Sequence, residues 1–129
     1  FLMPPHSAST NLQRMLGVAG AVIQSGLSWS NKNILCVNPD DTRALKKILT
    51  SKSAPDTIVC HNDQTAEKLP HSAKVAGFDG LSSGSRRAYP SVRQPIARLA
   101  DTAIATVLER IHNSKLPPRQ IQLKPELIG

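Results

Sequence analysis

The stretch Thr57-Ile58-Val59-Cys60-His61-Asn62-Asp63-Gln64-Thr65-Ala66 decides the fold. Its first four residues are β-branched or apolar and read as a short buried strand. Asn62 and Asp63 then bring side-chain oxygens of the kind that satisfy the open N–H groups of a helix start. A strand running directly into a capped helix is the unit of a parallel sheet covered by helices. Lys74–Phe78 repeats the strand pattern and closes on Asp79-Gly80.

Working toward the start of the chain, Ala44, Leu45, Ile48 and Leu49 form an apolar helical stripe behind the turn Pro39-Asp40-Asp41-Thr42. Ile34–Val37 reads as a strand before it. Leu12, Met15, Leu16, Ala19, Val22 and Ile23 recur at helical spacing, with Ser9, Thr10 or Asn11 as caps and Gly26 as the stop. Phe1–Met3 looks like the tail of a strand, and Pro4 to Thr10 is a loop. Toward the other end, Leu81 to Ser85 is a flexible Ser/Gly stretch and Ser91–Arg93 is extended. Pro95 opens a helix whose Ile96, Leu99, Ala100, Ala103, Ile104, Val107, Leu108 and Ile111 make one apolar stripe. Pro117-Pro118 lie beyond it. Ile121, Leu123 and Leu127 suggest a last strand, with Pro125 marking a sheet edge. The fold class is therefore α/β, a mostly parallel sheet with flanking helices.

Composition narrows the function. A chain of 129 residues with 40% hydrophobic residues has the length and apolar content of one ordinary domain. The net charge is +7, carried mainly by residues 86–129 at +5. The cations are scattered, and one Trp, one Tyr and two Phe are too few for a base-stacking platform, so a solvated basic surface is expected. Cys36 and Cys60 both sit in apolar runs and read as small core residues. Neither CxxC spacing nor a secretory signal is visible, which points to a reducing compartment. No apolar run reaches the roughly 18 residues of a membrane span.

Chemistry follows from the strand ends. In an open parallel sheet, ligands bind just beyond the carboxyl ends of the strands. Those ends carry His61-Asn62-Asp63, Asp79-Gly80, and the loop from Pro4 that leads to Arg14. Helical phase puts Arg14 about 200° from Leu12, off the Leu12/Leu16/Ala19 stripe, so it faces solvent or a cleft. Carboxylates, an amide and a guanidinium on one rim suit a small ligand rich in hydroxyls. Asn62-Asp63 also reads as a helix cap, and Asp79-Gly80 as an Asp-Gly turn. His6, His61, His71 and His112 are too scattered for a metal site, so no metal is expected. GxGxxG and GxxxxGK[ST] are missing, and Gly80-Leu-Ser-Ser-Gly84 falls in the flexible Ser/Gly loop, where no nucleophile elbow is expected, so neither an enzyme nor a cofactor is expected.

Four motifs in order carry a family resemblance: Phe1-Leu-Met-Pro-Pro5 through Asn11 to Gly17, Thr57 to Ala66, Val75-Ala-Gly-Phe-Asp79, and Ser91-Val-Arg-Gln-Pro95 with its helix. Together they resemble the effector-binding domain of LacI/GalR-type transcriptional repressors. The resemblance implies one lobe of a periplasmic-binding-protein-like fold, in which two lobes enclose a small polar, sugar-like effector. It assigns effector contacts to Arg14, Asn62, Asp63, Asp79 and Gln94. It divides the chain into residues 1–91 of the C-terminal lobe, a crossover and helix at 92–118 that would pack in the N-terminal lobe, and a strand at 119–129 returning to the first lobe. It also implies a cytoplasmic homodimer acting on operator DNA through a headpiece not found in this chain, without membrane contact. A periplasmic sugar-binding protein of a transport system shares the Asn-Asp and Phe-Asp-Gly pattern and is the alternative. Where the family has a full helix and loop after Ala66, only Glu67-Lys68 stand here. The Ile96–Ile111 stripe is expected to dock on neighbouring structure or on another chain.

Overall fold

In the computed structural model of the protein, residues 1–6, 8–81 and 88–129 are described. The elements run β1 (Leu2–Met3), α1 (Ser9–Gln24), β2 (Leu35–Cys36), α2 (Thr42–Leu49), β3 (Ile58–Val59), α3 (Asp63–Lys68), β4 (Val75–Phe78), β5 (Ser91–Arg93), α4 (Ile96–His112) and β6 (Glu126–Ile128). A single 3-10 turn at Asn31–Asn33, boxed by Ser30, precedes β2. β1 pairs with β2, and β3, β4, β5 and β6 pair in that order. A parallel bridge between Leu2 and Cys60, with the His61 N–H donating to the Leu2 carbonyl at 2.9 Å, joins the two sets into one sheet. Every pairing is parallel except β5 with β6. The mostly parallel α/β architecture read from the sequence is the one observed. β6 is the edge strand foreseen at Pro125, but it is confined to Glu126–Ile128, with Ile121 and Leu123 outside it.

The core sits where β1, β3 and β4 meet α2 and α3. Leu2, Leu45, Ile58, Cys60, Ala66, Leu69, Val75 and Tyr89 pack into one buried cluster. The strands are short, so much of the holding is done by caps. Asp41 accepts from the Ala44 N–H at 2.9 Å and Asn62 from the Thr65 N–H at 2.9 Å. Gly26, at φ 77°, closes α1: its N–H reaches the Ile23 carbonyl while the Leu27 N–H reaches that of Val22.

Three sequence expectations are corrected. The first residue ahead of α1 is Ala8, with no side-chain cap, not Ser9, Thr10 or Asn11. The α1 stripe is rolled: Met15 and Ala19 are buried, but Leu12, Leu16 and Ile23 are exposed. Arg14 explains the roll, because its bonds to two strand ends hold that side of the helix against the sheet. Cys36 is exposed whereas Cys60 is fully buried, and neither forms a disulfide. β2 is an edge strand of two residues. The Ser82, Ser83 and Ser85 loop reading lies outside the described residues.

Candidate functional site: a carboxylate rim at the strand ends

β3 and β4 run parallel, and so deliver His61 and Asp79 to the same edge of the sheet. Arg14, one and a half turns into α1, bridges them. One guanidinium nitrogen donates to the His61 carbonyl at 2.6 Å and the other to Asp79 Oδ1 at 3.1 Å. The guanidinium carbon also stands 5.0 Å from the centroid of the Phe78 ring, within cation–π range. Gln94, beyond the end of β5, donates its amide to the same Asp79 Oδ1 at 2.8 Å. Three elements thus converge on one carboxylate oxygen. Oδ2 takes neither of these bonds.

Asp79 has a backbone φ of 103°, a region that non-glycine residues seldom occupy. Its N–H donates to the Val92 carbonyl at 2.9 Å. Gly80 follows at φ 79°, and a Cβ there would lie 2.7 Å from Arg93 Cβ and 2.9 Å from Arg93 Cα. The turn therefore lies tightly against β5, and only glycine fits its second residue.

Arg14, Asp79 and Gln94 are brought together. Asn62 adjoins them through His61, and its carbonyl oxygen is used to cap α3. Asp63 is not brought to this group. It is 1% exposed, and its carboxylate accepts from the Ser91 hydroxyl at 2.7 and 2.8 Å and from the Leu81 N–H at 2.6 Å. Sequence reasoning assigned no role to Ser91. Alternation gives no signal for it, because Ser91 is fully buried while Arg93, two residues on, is exposed. His61 is also buried, with Nδ1 3.2 Å from Thr65 Oγ1. Burial pushes its pKa below the ordinary histidine value, the nearby Arg14 charge adds to that, and the Leu2 backbone and Asp79 oppose it.

Chemically, the rim pairs its negative charge with Arg14, so it offers directed donors and acceptors without a strong local field. Among the described residues, no group of three His, Cys, Asp or Glu side chains could hold a metal ion. Two cavities, of about 940 and 730 Å³, are lined by other residues, and neither includes Arg14, Asp79 or Gln94. The Arg14 and Asp79 side chains are partly exposed, at 22% and 31%.

A mostly parallel sheet with flanking helices is the architecture of a periplasmic-binding-protein-like domain. The chain belongs to the periplasmic binding protein-like domain family, which matches residues 1–129. It is similar to the HTH-type transcriptional repressor PurR of Yersinia enterocolitica, 27% identical over 99 residues, which is 67% of this chain and 29% of that protein. The chain therefore spans less than a third of the length of the curated relatives it matches. Among solved structures it is similar to a transcriptional regulator CelR–cellobiose complex, with a TM-score of 0.79, 16% identity, and coverage of 99% of this chain and 45% of the other. It is also similar to a LacI family transcriptional regulator from Enterococcus faecalis with bound ribose, with a TM-score of 0.75, 20% identity, and coverage of 99% and 51%. These likenesses, to a repressor and to two regulators, are of the kind that the four motifs implied. The relatives are transcriptional repressors and regulators. Among the described residues, no helix is long and apolar enough to cross a membrane.

Proposed function

We propose that the chain is the effector-sensing part of a cytoplasmic, homodimeric DNA-binding transcriptional regulator. A small polar, hydroxyl-rich ligand is held between this lobe and a second one, and its binding alters operator affinity through a separate headpiece. The observation that carries this reading is the convergence of Arg14 and Gln94 on Asp79 at the strand ends. A carboxylate neutralised by a guanidinium favours an uncharged partner, and sugar hydroxyls both donate and accept. The cellobiose and ribose named for two structural neighbours support the sugar class. The repressor relatives favour a regulator over a transport protein.

Arg14, Asp79 and Gln94, with Asn62 beside them, form one wall of the ligand cleft. The crossover after β5 and α4 lead into the second lobe, which supplies the other wall. Ligand then favours one lobe arrangement over another and shifts operator affinity by linkage.

The test is a thermal-shift screen of the full natural chain against D-ribose, cellobiose, polyols and nucleosides. A ligand at about 100 times its Kd stabilises the folded state by about 2.7 kcal/mol. A concentration-dependent shift that Asp79→Ala abolishes is expected. A shift retained in Asp79→Ala overturns the site, and a secretory signal encoded ahead of Phe1 overturns the regulator.

A further inference from the structure

Asp63 is the most deeply buried acidic or basic side chain among the described residues, and it lies outside the Arg14, Asp79 and Gln94 group. Its surroundings give it a different task. The N–H groups of three successive residues in the turn after β4 are each held: Asp79 by the Val92 carbonyl, Gly80 by Ser91 Oγ at 3.1 Å, and Leu81 by Asp63 Oδ2 at 2.6 Å. Ser91 in turn donates to the Asp63 carboxylate. The last two of those three anchors therefore trace to one carboxylate.

We propose that Asp63 is a positioning residue: through Ser91 and the Leu81 N–H it holds Asp79 in its left-handed conformation and sets Gln94 against it. The inference rests on the reading of the rim as a ligand site, and reassigns Asp63 from ligand contact to the support beneath it.

The physical case has three parts. A residue at φ 103° relaxes unless its neighbours over-determine it, and the three anchored amides do so. Gln94 lies three residues beyond Ser91, so the clamp on Ser91 also sets the reach of the Gln94 amide to Asp79. Asp63 itself is closed off. A Cβ on Gly77 would stand 2.0 Å from Asp63 Oδ1, so the missing side chain there makes room for the carboxylate. A carboxylate suits the place because it only accepts, and both the Ser91 hydroxyl and the Leu81 N–H donate to it. An amide in the same shape turns one donor against another.

The experiment uses the full natural chain and two variants, Asp63→Asn and Ser91→Ala. The first reading needs no ligand: the side-chain N–H resonances of Arg14 report its pairing with Asp79. The second is calorimetric titration with D-ribose and with cellobiose. In both variants the Arg14 resonances should move toward those of Asp79→Ala, and affinity for whichever sugar binds should fall at least tenfold while helix content is kept. Wild-type Arg14 resonances in the folded variants overturn the proposal. If neither sugar binds the wild type, the sugar reading fails and the Arg14 resonances still decide. If Asp63→Asn does not fold, Ser91→Ala decides by the same two readings.

Discussion

Asp79 carries two donors on one oxygen and sits in a strained backbone conformation, a combination that an ordinary Asp-Gly turn does not require. A charged hydrogen bond is worth about 1.5–3 kcal/mol. Arg14→Ala and Asp79→Ala in the full natural chain should therefore weaken ligand binding about tenfold to a hundredfold, as read by calorimetry, and unchanged affinity in both refutes the rim. His61 gives a pH test. Its pKa is lowered in the folded state, chiefly by burial, so across the interval below the ordinary value of about 6.5 the unfolded chain binds more protons. Stability should then rise with pH through that interval and be fully present above it. Urea unfolding at about pH 5 and about pH 7.5 should show a loss on acidification that His61→Gln reduces. An equal loss in the variant excludes His61 as the cause. Asp79 was legible because a strand end is written in the sequence, whereas helical phase turned Arg14 away from the buried stripe and its side of α1 in fact lies against the strand ends. Asp63 was not separable from Asn62 beside it. Adjacent residues at a helix start point in different directions, and only the placement of Ser91 and Leu81 shows which one is buried.

The elements were legible in kind and less so in roll. The apolar period located α1, but Leu12 and Leu16 face outward because the Arg14 bonds fix the helix by its polar side. Periodicity counts apolar residues and cannot weigh a guanidinium that is worth burying. Cys36 was misread for a related reason: an apolar run does not reveal that its strand is at an edge. Glycines make a contrasting pair of predictions. Gly77→Ala forces a methyl onto the Asp63 carboxylate and should cost at least about 1–3 kcal/mol in urea unfolding. Gly17 is inside α1, and a Cβ added there would meet nothing within 4 Å, so Gly17→Ala should stabilise by about 0.5–1 kcal/mol. The reverse order of these two effects contradicts the packing described.

Across the molecule, α4 is the part without a home. It buries no residue, and Ile104, Val107, Leu108 and Ile111 all lie more than half exposed. The apolar stripe was plain in the sequence, but what covers it was not, because a stripe encodes burial and not the identity of the partner. In the two-lobed reading the second lobe covers it. Ile104→Glu should then change the stability of the 129-residue chain by less than about 0.5 kcal/mol, as for other exposed sites. In the full natural chain it should cost more than about 2 kcal/mol. Equal small effects in both contexts would leave α4 without a covering lobe.

The most direct test is a crystal structure of the full natural chain with the sugar that gives the largest thermal shift. The account predicts ligand hydroxyls within hydrogen-bonding distance of Arg14 and Asp79, with Asp63 still bonded to Ser91 and touching no ligand atom. A ligand lodged instead in the cavity of about 730 Å³ lined by Leu45 and Leu49 of α2 and by Leu69 and Lys74, with Asp79 untouched, would contradict it.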